Sequence, residues 1–391
     1  MALLLTTAAV EAAQDMQSSA QARSTPNLLA PPATSAWRQV NQDGFGDVNN
    51  NAVYALETFN GDLYASTSNA DAGAQLWRSP DGLSWSQAAA DGFSDGFFDR
   101  SYNQSINDLQ AFNGYLYAST YNDEPNGGEV WRSPDGTNWT RVIYEGFGDA
   151  NNFEVFQMTV FSNTLYAGTT NDASGAEMWR TTNGLHWDQD NADGFGNANN
   201  TAVIGLAVFN NQLYAGTQND TEGAELWHTD GLTWTPVITG GFDSAENTVI
   251  GALAEFKGDL YALTRNPTSG SEVWRSSNGS DWVQVASGGL GDANNSRGYG
   301  LKVFEGALFL VTGNLDSGAQ VWRTTDGATW AQVGVGGWGD ALNVGSFWSN
   351  SIAIFDGRLF IGTIKNWTVD PSGGEVWLYL PHAVYLPLVT E

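Results

Sequence analysis

The side chains best placed to do chemistry in this chain are four basic residues that break an otherwise regular pattern: Arg100, Arg265, Arg297 and Lys365. Four aromatic residues, Tyr102, Tyr299, Trp348 and Trp367, stand in the same irregular stretches. A guanidinium holds a carboxylate through two parallel hydrogen bonds, and an aromatic ring adds a flat stacking face. Together these eight form a candidate set for binding a neutral or acidic sugar. The competing reading is that they sit on loops whose length and composition simply vary. Catalysis has less support. Glycoside hydrolysis needs two opposed carboxylates at a defined separation, and Asp and Glu are too numerous here to nominate a pair. His186, His228 and His382 are scattered, and no Ser-His-Asp grouping stands out. No catalytic residue is assigned.

A second chemistry is suggested by oxygen-rich stretches. Asp43 to Asn50 reads DGFGDVNN, and it is echoed at Glu145 to Asn152, Asp193 to Asn200 and Gly288 to Asn295. Carboxylates, amides and carbonyls are the ligands a hard cation such as Ca²⁺ takes. The spacing is not that of an EF-hand loop. The alternative is that Asp and Asn cap these turns by bonding their own backbone. No other cofactor is expected. The chain has no Cys, which excludes disulfides and thiolate-bound metals.

These residues are carried by a repeat. Tryptophans recur about every 48 residues, at Trp37, Trp85, Trp139, Trp187, Trp234, Trp282 and Trp330. Each unit holds four short β-rich runs separated by turn residues. In the first, AVYALETF stops at Asn60-Gly61, LYAST follows, a polar loop leads to AQLWRS, and Pro80-Asp81-Gly82 precedes LSWSQAA. Asn-Gly or Asp-Gly between alternating runs is a hairpin signal. No segment has helical periodicity.

Four antiparallel strands per unit and seven units predict an all-β fold: a seven-bladed β-propeller of four-stranded antiparallel blades. The last unit lacks the Asp-Gly…Trp element, and Ala36–Val40 supplies one orphan copy of it. An N-terminal strand is therefore expected to complete the last blade and close the ring. The propeller is assigned to residues 36–380. Residues 1–13 read as a remnant signal peptide, 14–35 as a flexible leader and 381–391 as a tail.

The element W-R-[ST]-x-[DN]-G-x-x-W, at Trp77–Trp85, Trp131–Trp139, Trp179–Trp187, Trp274–Trp282 and Trp322–Trp330, resembles the Asp-box of sialidase-like propellers. In that family the motif is S-x-D-x-G-x-T-W and shapes a turn away from the catalytic face. Here the acidic or amide residue is followed directly by Gly. The resemblance implies the fold. It implies no activity, because sialidases are six-bladed and carry an Arg-Ile-Pro-type motif that is missing here.

In a four-stranded blade the loop between blades and the loop between the second and third strands open on one face. That face collects the polar residues. Its second loop carries Asn69, Asn122, Asn171, Asn219, Asn266, Asn314 or Asn366, then Gln75, Glu129, Glu177, Glu225, Glu272, Gln320 or Glu375. The recurrent Glu is expected to bond backbone donors between blades. The tryptophans are expected to pack blade on blade, each ring removing about 150–250 Å² from water.

The net charge of −28 disfavours nucleic acid and anionic membranes as partners. No apolar run reaches the length of a membrane helix. The sequence reads best as a secreted bacterial binding module, lectin-like or adhesive, monomeric, at the cell surface or beyond, with a glycan or protein ligand on the loop-rich face. A sialidase-like glycan-active enzyme and a structural or protein-interaction propeller are the alternatives.

Overall fold

The computed structural model describes residues 36–89, 91–93, 103–122, 126–346, 348–366 and 372–381, without the side chains of residues 299, 348 and 349. Residues 1–35 and 382–391, and the expectations placed on them, lie outside this set.

The first repeat folds as four consecutive antiparallel strands: Ala52–Phe59, Asp62–Ser68, Leu76–Ser79 and Ser86–Ala89. The same order recurs along the chain, for instance in Glu154–Phe161, Thr164–Thr170, Met178–Thr181 and Asp188–Gln189. Burial grades across each set. The second strand is buried on both faces, so Leu63, Tyr64 and Ala65 are all inside, and its run lacks alternation. The fourth strand is largely exposed. The strands expected from the Asn-Gly and Asp-Gly punctuation are therefore present, with the most apolar ones innermost.

The apolar core lies between neighbouring sets. Phe59, Tyr64 and Leu76 of the first set pack with Ile106, Leu109 and Leu116 of the second. The last repeat is packed on the first in the same way: Ala353, Phe355 and Phe360 share a cluster with Val53, Leu56 and Leu63. Val53 N donates to Thr363 O at 2.9 Å, Arg358 donates to Asp81 O at 2.8 Å, and Phe360 lies against Gly82. The N-terminal segment joins this seam. Trp37–Gln39 pairs antiparallel with Val376–Tyr379, aligning Trp37 with Tyr379 and Gln39 with Trp377. Trp37 Nε1 donates to Val333 O and Trp85 Nε1 to Val40 O, which ties the segment to both flanking repeats.

The turn before each set explains the paired tryptophans. Phe45 has φ 57°, an unusual conformation for a bulky residue. It lets the ring stack on Trp77 at 4.8 Å and meet Trp85 edge-on at 5.3 Å. Phe147, Phe195 and Phe242 repeat the arrangement on their own Trp pairs. Left-handed backbone costs about 1–2 kcal/mol, and two aromatic contacts at about 0.5–1.5 kcal/mol each offset it.

One segment leaves the pattern. The helical turn Trp348–Ser351 precedes the last set and packs against the first strands of several repeats, Ala52–Phe59, Asn103–Phe112, Val249–Phe256 and Arg297–Phe304. Asn350 accepts from Gln157 Nε2 at 2.9 Å and donates to Asn107 O and Phe156 O at 3.3 and 3.4 Å. The turn thus plugs the space enclosed by the first strands.

Candidate functional site

The two loop types expected on one face do meet there. Asn69 Nδ2 donates to Asp47 Oδ2 at 3.0 Å and to Asn50 Oδ1 at 3.0 Å. The oxygen-rich stretches spend much of their bonding capacity locally: Asp47 Oδ1 accepts from Asn49 N, and Asn50 Nδ2 donates to Gly44 O at 2.8 Å. Among the described residues no three His, Asp or Glu side chains gather as a metal set.

The recurrent Glu does something other than bond backbone donors. One oxygen of Glu177 accepts from Asn152 Nδ2 and from Trp179 Nε1, each at 2.7 Å. Glu129, Glu225, Glu272 and Glu375 each receive the corresponding Asn and Trp in their own repeats. Both donors are side chains, because the backbone donors nearby are already used by the strands and turns.

Of the eight residues nominated for ligand binding, Arg100, Tyr102 and Trp367 lie outside the described residues, as do the side chains of Tyr299 and Trp348. Lys365 is not presented on the loop surface. It is 1% exposed, and its ammonium sits between Asp340 and Glu375, 2.6 Å from the latter. Burial pulls its pKa down, but the bonds to the two carboxylates outweigh this and raise it. Its role is to fasten the loop of the last repeat. The physical reason was invisible in the sequence: Glu375 is one of the recurrent Glu residues, and Lys365 reaches its second oxygen, as Arg141 does for Glu129.

Arg265 and Arg297 stand at strand ends on the loop-rich side. Arg265 ends Asp259–Arg265, is 9% exposed and lies 3.9 Å from Asp220, which also accepts from Gln218 Nε2 at 2.7 Å. Arg297 opens the next first strand, Arg297–Phe304.

Their surroundings define the site. The second strands of the first six repeats share the frame Leu-Tyr/Phe-x-x-Thr-x-Asn, in which the position before Asn varies: Ser68, Tyr121, Thr170, Gln218, Arg265 and Gly313. Each aligns across the hairpin with the opening of its own first strand, which varies too: Ala52, Ser105, Glu154, Ala202, Val249 and Arg297. These openings also pair with the preceding repeat, as in Ser68 with Ser105, Thr170 with Ala202 and Gln218 with Val249. The variable residues therefore form a belt where the first and second strands meet the loop-rich face, paired from repeat to repeat between Ser68 and Val249.

Glu154 is the belt residue missed in the sequence. It is 7% exposed and accepts from Asn107 Nδ2 and Thr170 Oγ1, both at 2.9 Å. Burial raises its pKa to about 7, the two hydrogen bonds opposing the shift and the Asp172 charge adding to it. The available signal was its position: a carboxylate where the other repeats place Ala52, Ser105, Ala202, Val249 or Arg297.

A separate cleft of about 370 Å³ opens at the rim between the N-terminal strand and the first repeat, lined by Arg38, Gln39, Gln42, Phe45, Trp77 and Trp85. Its indoles are engaged in the Phe45 stack described above.

No characterised protein family matches the chain's sequence, and no individual curated protein does. Solved structures do resemble its fold. A glycoside hydrolase family 74 xyloglucanase from Xanthomonas campestris is 16% identical with a TM-score of 0.53, over 84% of this chain and 52% of that one. An ancestral family 74 enzyme is 12% identical with a TM-score of 0.57, over 86% of this chain and 48% of that one. The WD40 β-propeller domain of Doa1 is 11% identical with a TM-score of 0.50, over 87% and 96%. The chain spans about half the length of the two family 74 enzymes. With its repeated antiparallel four-strand sets, the chain is an all-β protein of the β-propeller class.

Proposed function

We propose that the repeats are seven blades of a closed propeller, that Trp37–Gln39 is the outer strand of the last blade, and that the protein is a secreted binding module whose glycan ligand sits on the variable belt at the loop-rich face. The observation that carries this reading is the contrast between a constant frame and a variable belt. A scaffold that repeats Leu, Thr and Asn around the ring while changing Thr170, Gln218, Arg265, Glu154 and Arg297 side by side concentrates its chemical individuality at one end of the channel. Guanidinium, amide and carboxyl groups suit sugar hydroxyls and carboxylates. Closure is supported by the Trp37–Tyr379 register and by the contacts of Phe360 and Arg358 with the turn Asp81-Gly82.

The test is a glycan array probed with the wild-type protein and with Arg265→Ala and Arg297→Ala, each with and without Ca²⁺. Specific binding that both substitutions weaken supports the reading. Binding to no glycan under any condition counts against it.

A glycan-active enzyme is the second reading. Glu154 is a buried carboxyl with a raised pKa, the environment a general acid needs. Release of nitrophenol from aryl glycosides that disappears in Glu154→Gln would favour this reading over simple binding.

A further inference from the structure

Asn-Gly pairs occur at Asn60, Asn113, Asn126, Asn183 and Asn278, and the fold places them in different settings. Asn60-Gly61 and Asn113-Gly114 are the tips of two-residue hairpins, closed by Phe59 opposite Asp62 and by Phe112 opposite Tyr115. Both tips are left-handed, with φ 50° and 85° in the first and 48° and 78° in the second. All four residues are exposed, and a Cβ added to Gly61 or Gly114 would meet nothing within 4 Å. Neither Gly61 N nor Gly114 N makes a hydrogen bond among the described residues. Asn183-Gly184 and Asn278-Gly279 lie instead in the turn between third and fourth strands. There the glycine is buried, and its N–H donates to Thr181 Oγ1 or Ser276 Oγ at 2.8 Å. The Oδ1 of Asn183 accepts from Leu185 N and His186 N, and that of Asn278 from Ser280 N and Asp281 N. Gly127 is buried as well.

The two exposed tips also tie one repeat to the next. Asn60 Nδ2 donates to Pro134 O at 3.4 Å, and Asn113 Nδ2 donates to Thr182 O at 3.2 Å. Each carbonyl stands just before the Asp or Asn of the following repeat's turn. The corresponding tip Lys257-Gly258 makes the same tie, Lys257 Nζ donating to Thr325 O at 2.7 Å. The position therefore calls for a donor. At Asn60 and Asn113 that donor is the nitrogen of a carboxamide, and the next residue is a glycine whose amide nitrogen is unhindered and unbonded. Such a nitrogen can attack the side-chain carbonyl. Gly61 N bonds to Asn60 Cγ, the Cγ–Nδ2 bond breaks, and ammonia leaves with the proton the glycine amide gives up. Water then opens the five-membered ring at one of its two carbonyls and leaves aspartate or isoaspartate.

We propose that Asn60 and Asn113 are sites of spontaneous deamidation, and that the reaction cuts the ties of the first and second repeats to their successors. In the product an oxygen replaces Nδ2, so two acceptors face each other where a hydrogen bond stood. The isoaspartyl form also lengthens the backbone by one carbon, in a tip that has only two residues between paired strand ends. Asn183 and Asn278 are protected, because their glycine amides must first be released from the turn by local opening.

The experiment is peptide mapping by mass spectrometry of the full chain, incubated at physiological temperature in mildly alkaline buffer. Aspartate and isoaspartate should accumulate at Asn60 and Asn113 at least about tenfold faster than at Asn183 and Asn278. In urea, where the turns are gone, this difference should disappear. The aged protein should melt at a lower temperature than fresh protein, and the double variant Asn60→Asp, Asn113→Asp should show the loss without ageing. The double variant Asn60→Lys, Asn113→Lys keeps a donor at each tip, as Lys257-Gly258 does, and should hold its melting temperature through the same incubation. Equal rates at all four sites in the folded protein, a difference that persists in urea, or an unchanged melting temperature once both tips have reacted overturns the proposal.

Discussion

The hydroxyl of Tyr64 rests on the Asp135-Gly136 turn of the following repeat, donating to Asp135 O at 3.4 Å. A Cβ added to Gly136 would stand 2.0 Å from that oxygen, and Gly136 has φ 77°. The contact recurs between Tyr117 and Gly184, Tyr214 and Gly279, and Tyr261 and Gly327. The glycine of this Asp-Gly or Asn-Gly turn is therefore required twice, by its left-handed backbone and by the tyrosine of its neighbour.

Gly136→Ala should destabilise the protein by roughly 2–4 kcal/mol, combining overpacking with backbone strain. Tyr64→Phe removes the clashing oxygen and should recover part of the loss, as the natural pair Phe360 and Gly82 suggests. Urea unfolding of both single variants and the double variant measures the coupling. Strict additivity would show that the contact is incidental.

Glu177 offers a sharper contrast. Its acceptor oxygen serves Asn152 and Trp179 together, and in the first repeat the single amide oxygen of Gln75 does the same for Asn50 and Trp77. Glu177→Gln should therefore shift stability by less than about 1 kcal/mol. Glu177→Ala strands two buried donors and should cost about 3 kcal/mol or more. Thermal melts of the two variants decide this, and equal losses would refute the shared-acceptor account.

Stability should depend on pH through Glu154. Its folded pKa, about 7, lies above the ordinary 4.5, so the folded state holds the proton more tightly. The associated stabilisation is fully present below about pH 4.5 and is lost as pH rises through about 7, by at most about 3 kcal/mol. Glu154→Gln keeps the hydrogen-bonding shape without the titration. Chemical denaturation of wild type and variant between about pH 5 and 8 should show the wild type weakening relative to the variant. Parallel curves would mean Glu154 is ionised throughout.

The plug should be structural. Asn350→Ala removes bonds to Gln157, Asn107 and Phe156, and leaves their partners buried. A loss of about 2–4 kcal/mol is expected by equilibrium unfolding.

The strand sets were legible because hairpin punctuation and the spacing of tryptophans act within one repeat. Contacts between repeats were not. The stacking of Phe45 depends on a backbone conformation that propensity disfavours, and Tyr64 meets a turn far along the chain. For the site, the loop-rich face and the placement of Arg265 and Arg297 on it followed from repeat geometry. The burial of Lys365 and the raised pKa of Glu154 depend on which groups surround them, and neighbours across repeats leave no trace in residue spacing.

The seam bears on how the chain is made. Asn41 accepts from Val376 N across a separation of 335 residues, whereas most other strand pairs join strands that follow one another closely. Closing so long a loop costs about 3 kcal/mol more than closing a ten-residue one. The earlier repeats can pair their strands as they are made, but Trp37–Gln39 must wait for Val376–Tyr379 before its sheet exists. The final folding event is then the pairing of these two distant segments, and the backbone amides of Trp37–Val40 and Val376–Tyr379 should be the first of the strand amides to exchange with deuterium.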